Sequence, residues 1–141
     1  MLFRSARTDA RTSLGLDEAL RRAEAYAKAG ADILFVESPE SQEEMHRIAS
    51  TLDKPLLANM VEGGRTPVLD SRALEQIGYK IAIYPVTALL AATQAMQAVY
   101  AQFKATGHSV PPAAPLMPFG EMTELMGFKE VWDFEKRHAQ D

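Results

Sequence analysis

A chain of 141 residues, 47% hydrophobic and 24% charged, has the size and composition of one globular domain, which argues against a disordered or membrane-embedded protein. The formal net charge of −4 argues against binding to nucleic acid, which usually selects a basic surface. The chain has no cysteine, so disulfides, thiolate zinc sites and cysteine nucleophiles are excluded within it, and we expect a cytoplasmic location.

One unit recurs four times along residues 1–108: a short apolar strand, a polar residue at its C-terminal end, a loop and an amphipathic helix. We predict strands at residues 2–6, 31–36, 56–58 and 80–83, and helices at residues 17–29, 42–52, 71–77 and 87–106. Strands that alternate with helices predict right-handed crossovers and a parallel sheet. The predicted fold class is therefore α/β.

Local signals mark several helix ends. Residues 12–16 are predicted to form a loop, and Asp17 is expected to cap the helix that follows it. Gly30 suits the left-handed position just after a helix. Ser41 and Glu44 form a predicted capping box, in which each side chain satisfies the free amide of the other residue.

A polar residue stands at the end of each predicted strand: Arg7, Glu37, Asn59 and Tyr84. The C-terminal ends of parallel strands meet at one edge of the sheet, and the chemistry of such folds gathers there. We therefore expect these four side chains to converge on one rim.

The tail differs from the repeating units. Residues 109–118 are rich in proline and predict an extended linker, and residues 119–127 and 128–138 predict two short helices. We therefore divide the chain into residues 1–108, 109–118 and 119–141. Large apolar side chains are frequent in the last segment: Phe119, Met122, Leu125, Met126, Phe128, Val131, Trp132 and Phe134. They require a partner surface, which is either the body of the same subunit or a second subunit.

Five motifs follow one another along the chain: ARTDA at residues 6–10, AGAD at 29–32 leading to FVE at 35–37, LANM at 57–60, EGGRTP at 62–67, and GYK at 78–80 leading to YP at 84–85. In this order they resemble the isocitrate lyase and phosphoenolpyruvate mutase superfamily. Residues 59–67 are more similar to the carboxyphosphonoenolpyruvate mutase, dimethylmalate lyase and oxaloacetate decarboxylase branch than to methylisocitrate lyases.

The resemblance implies a (β/α)8 barrel whose last helices are exchanged between subunits. This chain would be its second half, with four βα units and a C-terminal, swap-prone helical arm. The family holds Mg²⁺ through acidic residues on early strands and carries a catalytic cysteine loop, and neither has a counterpart here. A complete barrel needs roughly 200–250 residues. We therefore expect a truncated or split gene or a piece of a longer protein. Mg²⁺ is expected for the complete barrel but not for this chain alone.

Arg7 is the first candidate for binding substrate. A guanidinium group matches a carboxylate or a phosphonate with two parallel hydrogen bonds, and the resemblance implies that this arginine holds the acidic group of the substrate. The alternative is a structural ion pair with Asp9 or Glu37. Thr8 and Asp9 are expected to orient the arginine and to cap the turn that follows.

Two more residues complete the candidate site. Glu37 follows a wholly apolar strand, where a carboxylate is costly unless it is paired, and the resemblance implies a catalytic role near the arginine and the water shell of the metal. Its alternative is a salt bridge to Arg7. Asn59 offers a donor and an acceptor to a substrate or enolate oxygen, and its alternative is an Asx turn that holds the loop.

Other signals are weaker. Gly63 and Gly64 could let a loop close over substrate, although a double glycine is usually only a mobile turn, and Tyr84 is expected to shape the pocket wall. The three histidines, His46, His108 and His138, are scattered and have no metal-site spacing. We therefore assign no metal ligand in this chain.

The resulting hypothesis is a fragment of a Mg²⁺-dependent C–C lyase or decarboxylase that acts on small 2-oxo or 2-hydroxy acids through an enolate. A phosphonate mutase of the same superfamily is the alternative chemistry. An inactive half-barrel that acts only through self-association, or through a separately encoded N-terminal half, is the alternative of a different class. Four strands leave sheet edges that demand pairing, so we expect a homo-oligomer or such a partner.

Overall fold

The computed structural model describes residues 3–139. Its four strands are β1 (Ser5–Thr8), β2 (Ile33–Val36), β3 (Leu57–Asn59) and β4 (Ile81–Ile83). β1 pairs with β2 and β3 with β4, and both pairs are parallel. A parallel bridge between Leu34 and Leu56 joins the two pairs. The strands thus lie side by side in chain order, as the predicted alternation of strands and helices requires.

The helices follow the strands in the predicted order. They are α1 (Ala10–Leu14), α2 (Leu16–Lys28), α3 (Gln42–Thr51), α4 (Ser71–Ile77), α5 (Thr87–Thr106), α6 (Phe119–Leu125) and α7 (Phe128–His138). The chain divides into two compact units, Met1–Ala91 and Ala92–Asp141. The division predicted from the sequence, after residues 108 and 118, stays a prediction.

The strands of the first unit carry two different faces. One face, which we call the helix-covered face, packs against α2, α3 and α4 in the hydrophobic core. Its strand residues, with the two that directly flank β3, are Ala6, Leu34, Val36, Leu56, Ala58, Met60 and Ala82. The helices contribute fully buried side chains such as Ala19, Met45 and Ile48. Because side chains alternate along a strand, the residues between these point the other way.

The second face, which we call the open face, carries Arg7, Phe35, Leu57, Asn59, Ile81 and Ile83. None of these belongs to the core cluster, and the exposed fraction of Ile83 is 37%. The predicted site residues Arg7 and Asn59 are members of this set. Glu37 lies two residues after Phe35, so the alternation of side chains places it on the same face. The alternation of the strands therefore separates the packing face from the face that presents functional groups.

The start of the chain differs from the prediction. β1 continues through Arg7 to Thr8, and the predicted loop at residues 12–16 is wrong, because α1 occupies Ala10–Leu14. Asp17 does not cap α2; the cap is Gly15, with a positive φ of 89°, and Asp17 lies inside the first turn. Thr8 explains the early helix, since its hydroxyl accepts a hydrogen bond from the amide of Ala10 at 3.3 Å.

Other predicted helix ends are confirmed in part. Gly30 adopts a φ of 98° directly after α2. At α3 the Ser41 hydroxyl accepts a hydrogen bond from the amide of Glu44 at 3.2 Å, which is half of a capping box. The other half is absent, because the Glu44 carboxylate accepts from the amide of Glu40 at 2.8 Å and binds Arg11. A stronger ionic partner thus replaces the reciprocal cap.

Helix α5, of which residues 92–106 belong to the second unit, has the predicted bounds, but none of its residues is buried. The proline-rich segment is fastened to α5 by Gln102, whose side chain accepts from the amide of Ala113 at 2.7 Å and donates to the carbonyl of Pro111. The large apolar side chains of α6 and α7 are exposed, with Phe119 at 83% and Trp132 at 45%. Between residues 3 and 139, no helix is both long and apolar enough to cross a membrane.

Substitution of a core side chain tests this packing. Met45 is fully buried on the helix-covered side, so Met45→Ala should lower the free energy of unfolding by about 2–5 kcal/mol through lost burial and a residual cavity. Urea denaturation followed by circular dichroism measures the change. Met96→Ala, at a methionine that is half exposed, is the matched control and should stay within about 0.5 kcal/mol. Equal losses in both variants would contradict the placement of the core.

Candidate active site

Arg7 lies near the end of β1 and is held by three neighbours. Its Nε and Nη2 atoms donate to the carboxylate of Asp9, with the shortest distance 2.7 Å, and its Nη1 lies 3.5 Å from Oε2 of Glu37. Its guanidinium carbon lies 4.8 Å from the ring centroid of Phe35, its partner in the strand register. The guanidinium is therefore oriented before any ligand arrives.

The contacts of the guanidinium with Asp9 and with Glu37 involve different nitrogen atoms. Asp9 occupies the edge formed by Nε and Nη2, while one N–H on Nη1 and one on Nη2 point along the end of the side chain. The Arg7 side chain is 48% exposed, so part of it is accessible from solvent. Asp9 raises the pKa of Arg7, and Arg7 in turn lowers the pKa of Asp9 through the same hydrogen bonds. Arg7 therefore stays cationic.

Glu37 connects the three candidate residues. Its Oε2 lies 3.5 Å from Nη1 of Arg7 and 3.4 Å from Nδ2 of Asn59, and its side chain is 18% exposed. Its Oε1 accepts a hydrogen bond from the hydroxyl of Ser38 at 3.1 Å. The desolvation cost expected for a carboxylate at this position is offset by three partners from three segments.

Asn59 contributes an unused acceptor. Its Nδ2 donates to Glu37, whereas its Oδ1 is buried and has no hydrogen-bond partner among residues 3–139. A buried polar atom without a partner is destabilising by about 1–3 kcal/mol, and the hydroxyl of Tyr79, outside this cluster, is a second such atom among residues 3–139.

The predicted convergence holds for three of the four strand ends. Arg7, Glu37 and Asn59 form one connected cluster, whereas the hydroxyl of Tyr84 donates to the carbonyl of Leu69 at 3.2 Å. The two ion pairs considered as alternatives for Arg7, with Asp9 and with Glu37, are also present. The sequence analysis did not identify Phe35 or Ser38 as part of the site. The available signals were that Phe35 lies two residues before Glu37 on the same predicted strand and that Ser38 directly follows Glu37.

The loop after β3, residues 60–67, makes two polar contacts with other segments, through Glu62 and Arg65. Oε1 of Glu62 accepts from the hydroxyl of Thr87 at 2.6 Å, and this bond lowers the pKa of Glu62. Nη1 of Arg65 lies 3.9 Å from Oε1 of Glu40, which Arg11 also binds at 2.6 Å. Gly63 has a φ of 75°, which suits a tight turn between these two points.

The donor set does not fit a resident Mg²⁺ ion. Within residues 3–139 no three His, Asp or Glu side chains lie close enough together to hold a metal. Glu37 is the carboxylate that bridges the candidate residues, and its oxygens already accept from Arg7, Asn59 and Ser38. Mg²⁺ prefers several free oxygen ligands in octahedral geometry, which these residues do not supply.

Comparison with known proteins was made on both sequence and structure. The sequence profile of the phosphoenolpyruvate phosphomutase family matches residues 1–104. The 2,3-dimethylmalate lyase of Eubacterium barkeri is 47% identical over 134 residues, covering 95% of this chain and 46% of that protein. The chain thus spans about half the length of the curated relatives that it matches.

Solved structures give the same result. A crystal structure of 2,3-dimethylmalate lyase superposes with a TM-score of 0.84 at 31% identity, covering 96% of this chain and 47% of that one. The structure of oxaloacetate acetylhydrolase in complex with the inhibitor 3,3-difluorooxalacetate superposes with a TM-score of 0.85 at 26% identity. The match covers 97% of this chain and 46% of that one. These proteins have the α/β fold of the phosphoenolpyruvate mutase and isocitrate lyase superfamily, and this chain shares it.

The ion pairs beside the site predict an acid-sensitive stability. Arg11 lowers the pKa of Glu44 below its ordinary value by hydrogen bonding, so the pair stabilises the fold above about pH 4.5 and is lost as the pH falls through the lowered pKa. Glu44→Gln should therefore lose less stability than the wild type between pH 6 and pH 3. We expect a difference of about 0.3–0.5 M in the urea midpoint, since the pair is partly exposed. Glu24→Gln, on the exposed side of α2, is the control and should follow the wild type.

Proposed function

We propose, since the chain belongs to the phosphoenolpyruvate phosphomutase family, that Arg7, Glu37 and Asn59 form the acid-binding part of a lyase site. The reaction would be C–C cleavage or decarboxylation of a small 2-oxo or 2-hydroxy acid through an enolate. One observation carries this proposal: Oε2 of Glu37 lies between Nη1 of Arg7 and Nδ2 of Asn59 on the open face.

The roles follow from the free hydrogen-bonding groups. The end-on edge of Arg7 would bind one carboxylate of the substrate with two N–H groups, which fixes its orientation as well as its charge. Asn59 would contribute Oδ1 as an acceptor for a substrate hydroxyl and Nδ2 as a donor to an oxygen on which negative charge develops. Glu37 would hold these two groups at a constant separation.

The charge of the cluster limits what it can do alone. One cation, Arg7, stands beside two anions, Asp9 and Glu37, so the net charge is −1 when all three are ionised. A dicarboxylate would add two more negative charges at this rim, and a stable complex needs a further cation. We therefore propose that Mg²⁺ acts in the complete protein and that its ligands lie outside the residues described here.

The same reasoning supports a longer active unit. The chain covers 46% of the 2,3-dimethylmalate lyase of Eubacterium barkeri, so we propose that it supplies four βα units, the second half of a (β/α)8 barrel. β1 and β4 each have one strand partner among residues 3–139. Their free backbone groups would pair with strands of the other half, which removes exposed edges.

A phosphonate mutase remains the second candidate. The matching profile is that of phosphoenolpyruvate phosphomutase, and the planar fork of Arg7 binds a phosphonate as well as a carboxylate. In the lyase a C–C bond breaks, whereas in the mutase the reaction involves a phosphorus–carbon bond. The N–H donors of Arg7 and Asn59 would suit the acidic substrate of either reaction. An inactive half-barrel that acts only through association is a third possibility, which the exposed apolar side chains of α6 and α7 favour.

Binding of oxalate, a planar dicarboxylate that resembles an enolate, tests the site in this chain when it is coexpressed with the unmatched half of the Eubacterium barkeri enzyme, which would supply the Mg²⁺ ligands. Titration with oxalate in the presence of Mg²⁺, followed by nuclear magnetic resonance of the arginine Nε–H signals, should shift the signal of Arg7. Arg7→Ala should weaken binding by roughly tenfold or more, because a charge-assisted, two-point contact is lost. Arg4→Ala, which removes the exposed partner of Asp32 on the same segment, should bind like the wild type. Equal affinity of Arg7→Ala and the wild type would refute the proposed site.

Activity should require the other half of the barrel. We expect no release of pyruvate from 2,3-dimethylmalate by the 141-residue chain with Mg²⁺, and measurable release when it is coexpressed with the unmatched half of the Eubacterium barkeri enzyme. Arg7→Ala in the same pair is the control and should abolish the release. Turnover by the chain alone would contradict the proposal that its site is incomplete.

We also propose that the chain self-associates through α6 and α7. Phe128, Val131 and Trp132 lie three and four residues apart on α7 and are 44–51% exposed, which forms an apolar stripe that needs a partner. Sedimentation at micromolar concentration should therefore show a dimer or a larger species. Trp132→Asp should shift it towards the monomer, whereas Lys129→Asp, off the stripe, should not. A compact wild-type monomer would contradict this proposal.

A further inference from the structure

Ser38 has the single left-handed backbone among the non-glycine residues 3–139. Its φ is +56°, directly after Glu37 and directly before Pro39. A serine in this region is strained by its Cβ atom, and the proline ring that follows restricts the backbone further. Strained residues of this kind persist where the surrounding structure requires them, and they cluster at active sites.

The strained conformation brings the serine hydroxyl to the site glutamate. Oγ of Ser38 donates to Oε1 of Glu37 at 3.1 Å. The other oxygen, Oε2, faces Nη1 of Arg7 and Nδ2 of Asn59. Each carboxylate oxygen therefore has its own partners, and rotation of the carboxylate about its terminal bond would break both sets of contacts.

A simple turn does not account for this residue. Reversal of the chain between β2 and α3 would be easiest with glycine, which adopts a positive φ without steric cost. The cap of α3 is a different residue, Ser41. Compared with glycine, serine adds a hydroxyl at position 38. That hydroxyl donates a hydrogen bond to Glu37.

We propose that Ser38 is a positioning residue that locks the Glu37 carboxylate, so that Oε2 stays directed at Arg7 and Asn59. This inference rests on the proposed function, because it assigns a purpose to the orientation of Glu37. The hydroxyl acts through Glu37 and does not contact the substrate. Without it the carboxylate is held only through Oε2, by the long contacts with Arg7 and Asn59, and its orientation is less well defined.

Three variants separate the hydroxyl from the strain. Ser38→Ala removes the hydroxyl and keeps the strain, Ser38→Gly removes both, and Ser38→Asn restores a donor in a residue that tolerates a positive φ. Ser50→Ala is the matched control, since that hydroxyl donates to the carbonyl of Arg47 on α3, in a backbone-only contact. Ser38→Gly also ensures that one variant without the hydroxyl folds.

The measurements are the side-chain amide signal of Asn59 in the chain and the affinity for oxalate of the chain coexpressed with the unmatched half of the Eubacterium barkeri enzyme. We expect Ser38→Ala and Ser38→Gly to shift that signal and to weaken oxalate binding by roughly tenfold, with at least partial recovery in Ser38→Asn. Ser50→Ala should change neither. If Ser38→Gly keeps both the wild-type amide signal and the wild-type affinity, Ser38 serves only the turn and the inference is wrong.

The two proposals fail in different ways. If the wild type and Arg7→Ala bind oxalate equally, the proposed function fails, yet the Asn59 signal still decides whether Ser38 orders the Glu37 contact. If the Asn59 amide signal shifts in both Ser38→Ala and Ser38→Gly, the result supports the proposal that Ser38 positions the Glu37 carboxylate. An unshifted signal in those variants overturns it.

Discussion

The packing of α2, α3 and α4 on a single face of four parallel strands is the constraint on which the site depends. Core residues such as Leu34 and Ala58 must point towards these helices, so their neighbours along each strand must point away. Arg7 and Asn59 belong to the second set, and Glu37 continues it beyond β2. A shift of the strand register by one residue would bury these groups under the helices, so the hydrophobic core enforces the site as well as the fold.

The electrostatics of the cluster explain why it can be ordered and still be ready to bind. Arg7 is held by Asp9, Glu37 and the ring of Phe35, and 48% of its side chain is still exposed. A long side chain that is already oriented loses less conformational entropy when a ligand binds. The surplus negative charge has the opposite effect on an acidic ligand, and it makes the site dependent on a cation from elsewhere.

The second unit follows a different principle. Its helices expose their large apolar side chains, and its proline-rich segment is attached to α5 by the two hydrogen bonds of Gln102. The helical spacing of apolar residues along α5 and α7 was readable in the sequence, but spacing gives only the direction of a face. It does not identify what covers that face, because periodicity carries no information about the partner.

By itself the sequence determined the alternation of strands and helices, the parallel sheet, and the residues at its rim. Strong local signals account for this: short, mainly apolar runs of three to six residues, amphipathic spacing, and glycines such as Gly30 after a helix. It misjudged the segment after Arg7, where the Thr8 hydroxyl and a glycine cap produce α1, because such backbone contacts leave little trace in composition. Only the tertiary structure decided that Glu37 joins Arg7 to Asn59, that Tyr84 turns aside to Leu69, and that Ser38 is strained. These features depend on distances between segments at least 15 residues apart, and on one backbone angle, which the order of residues does not encode locally.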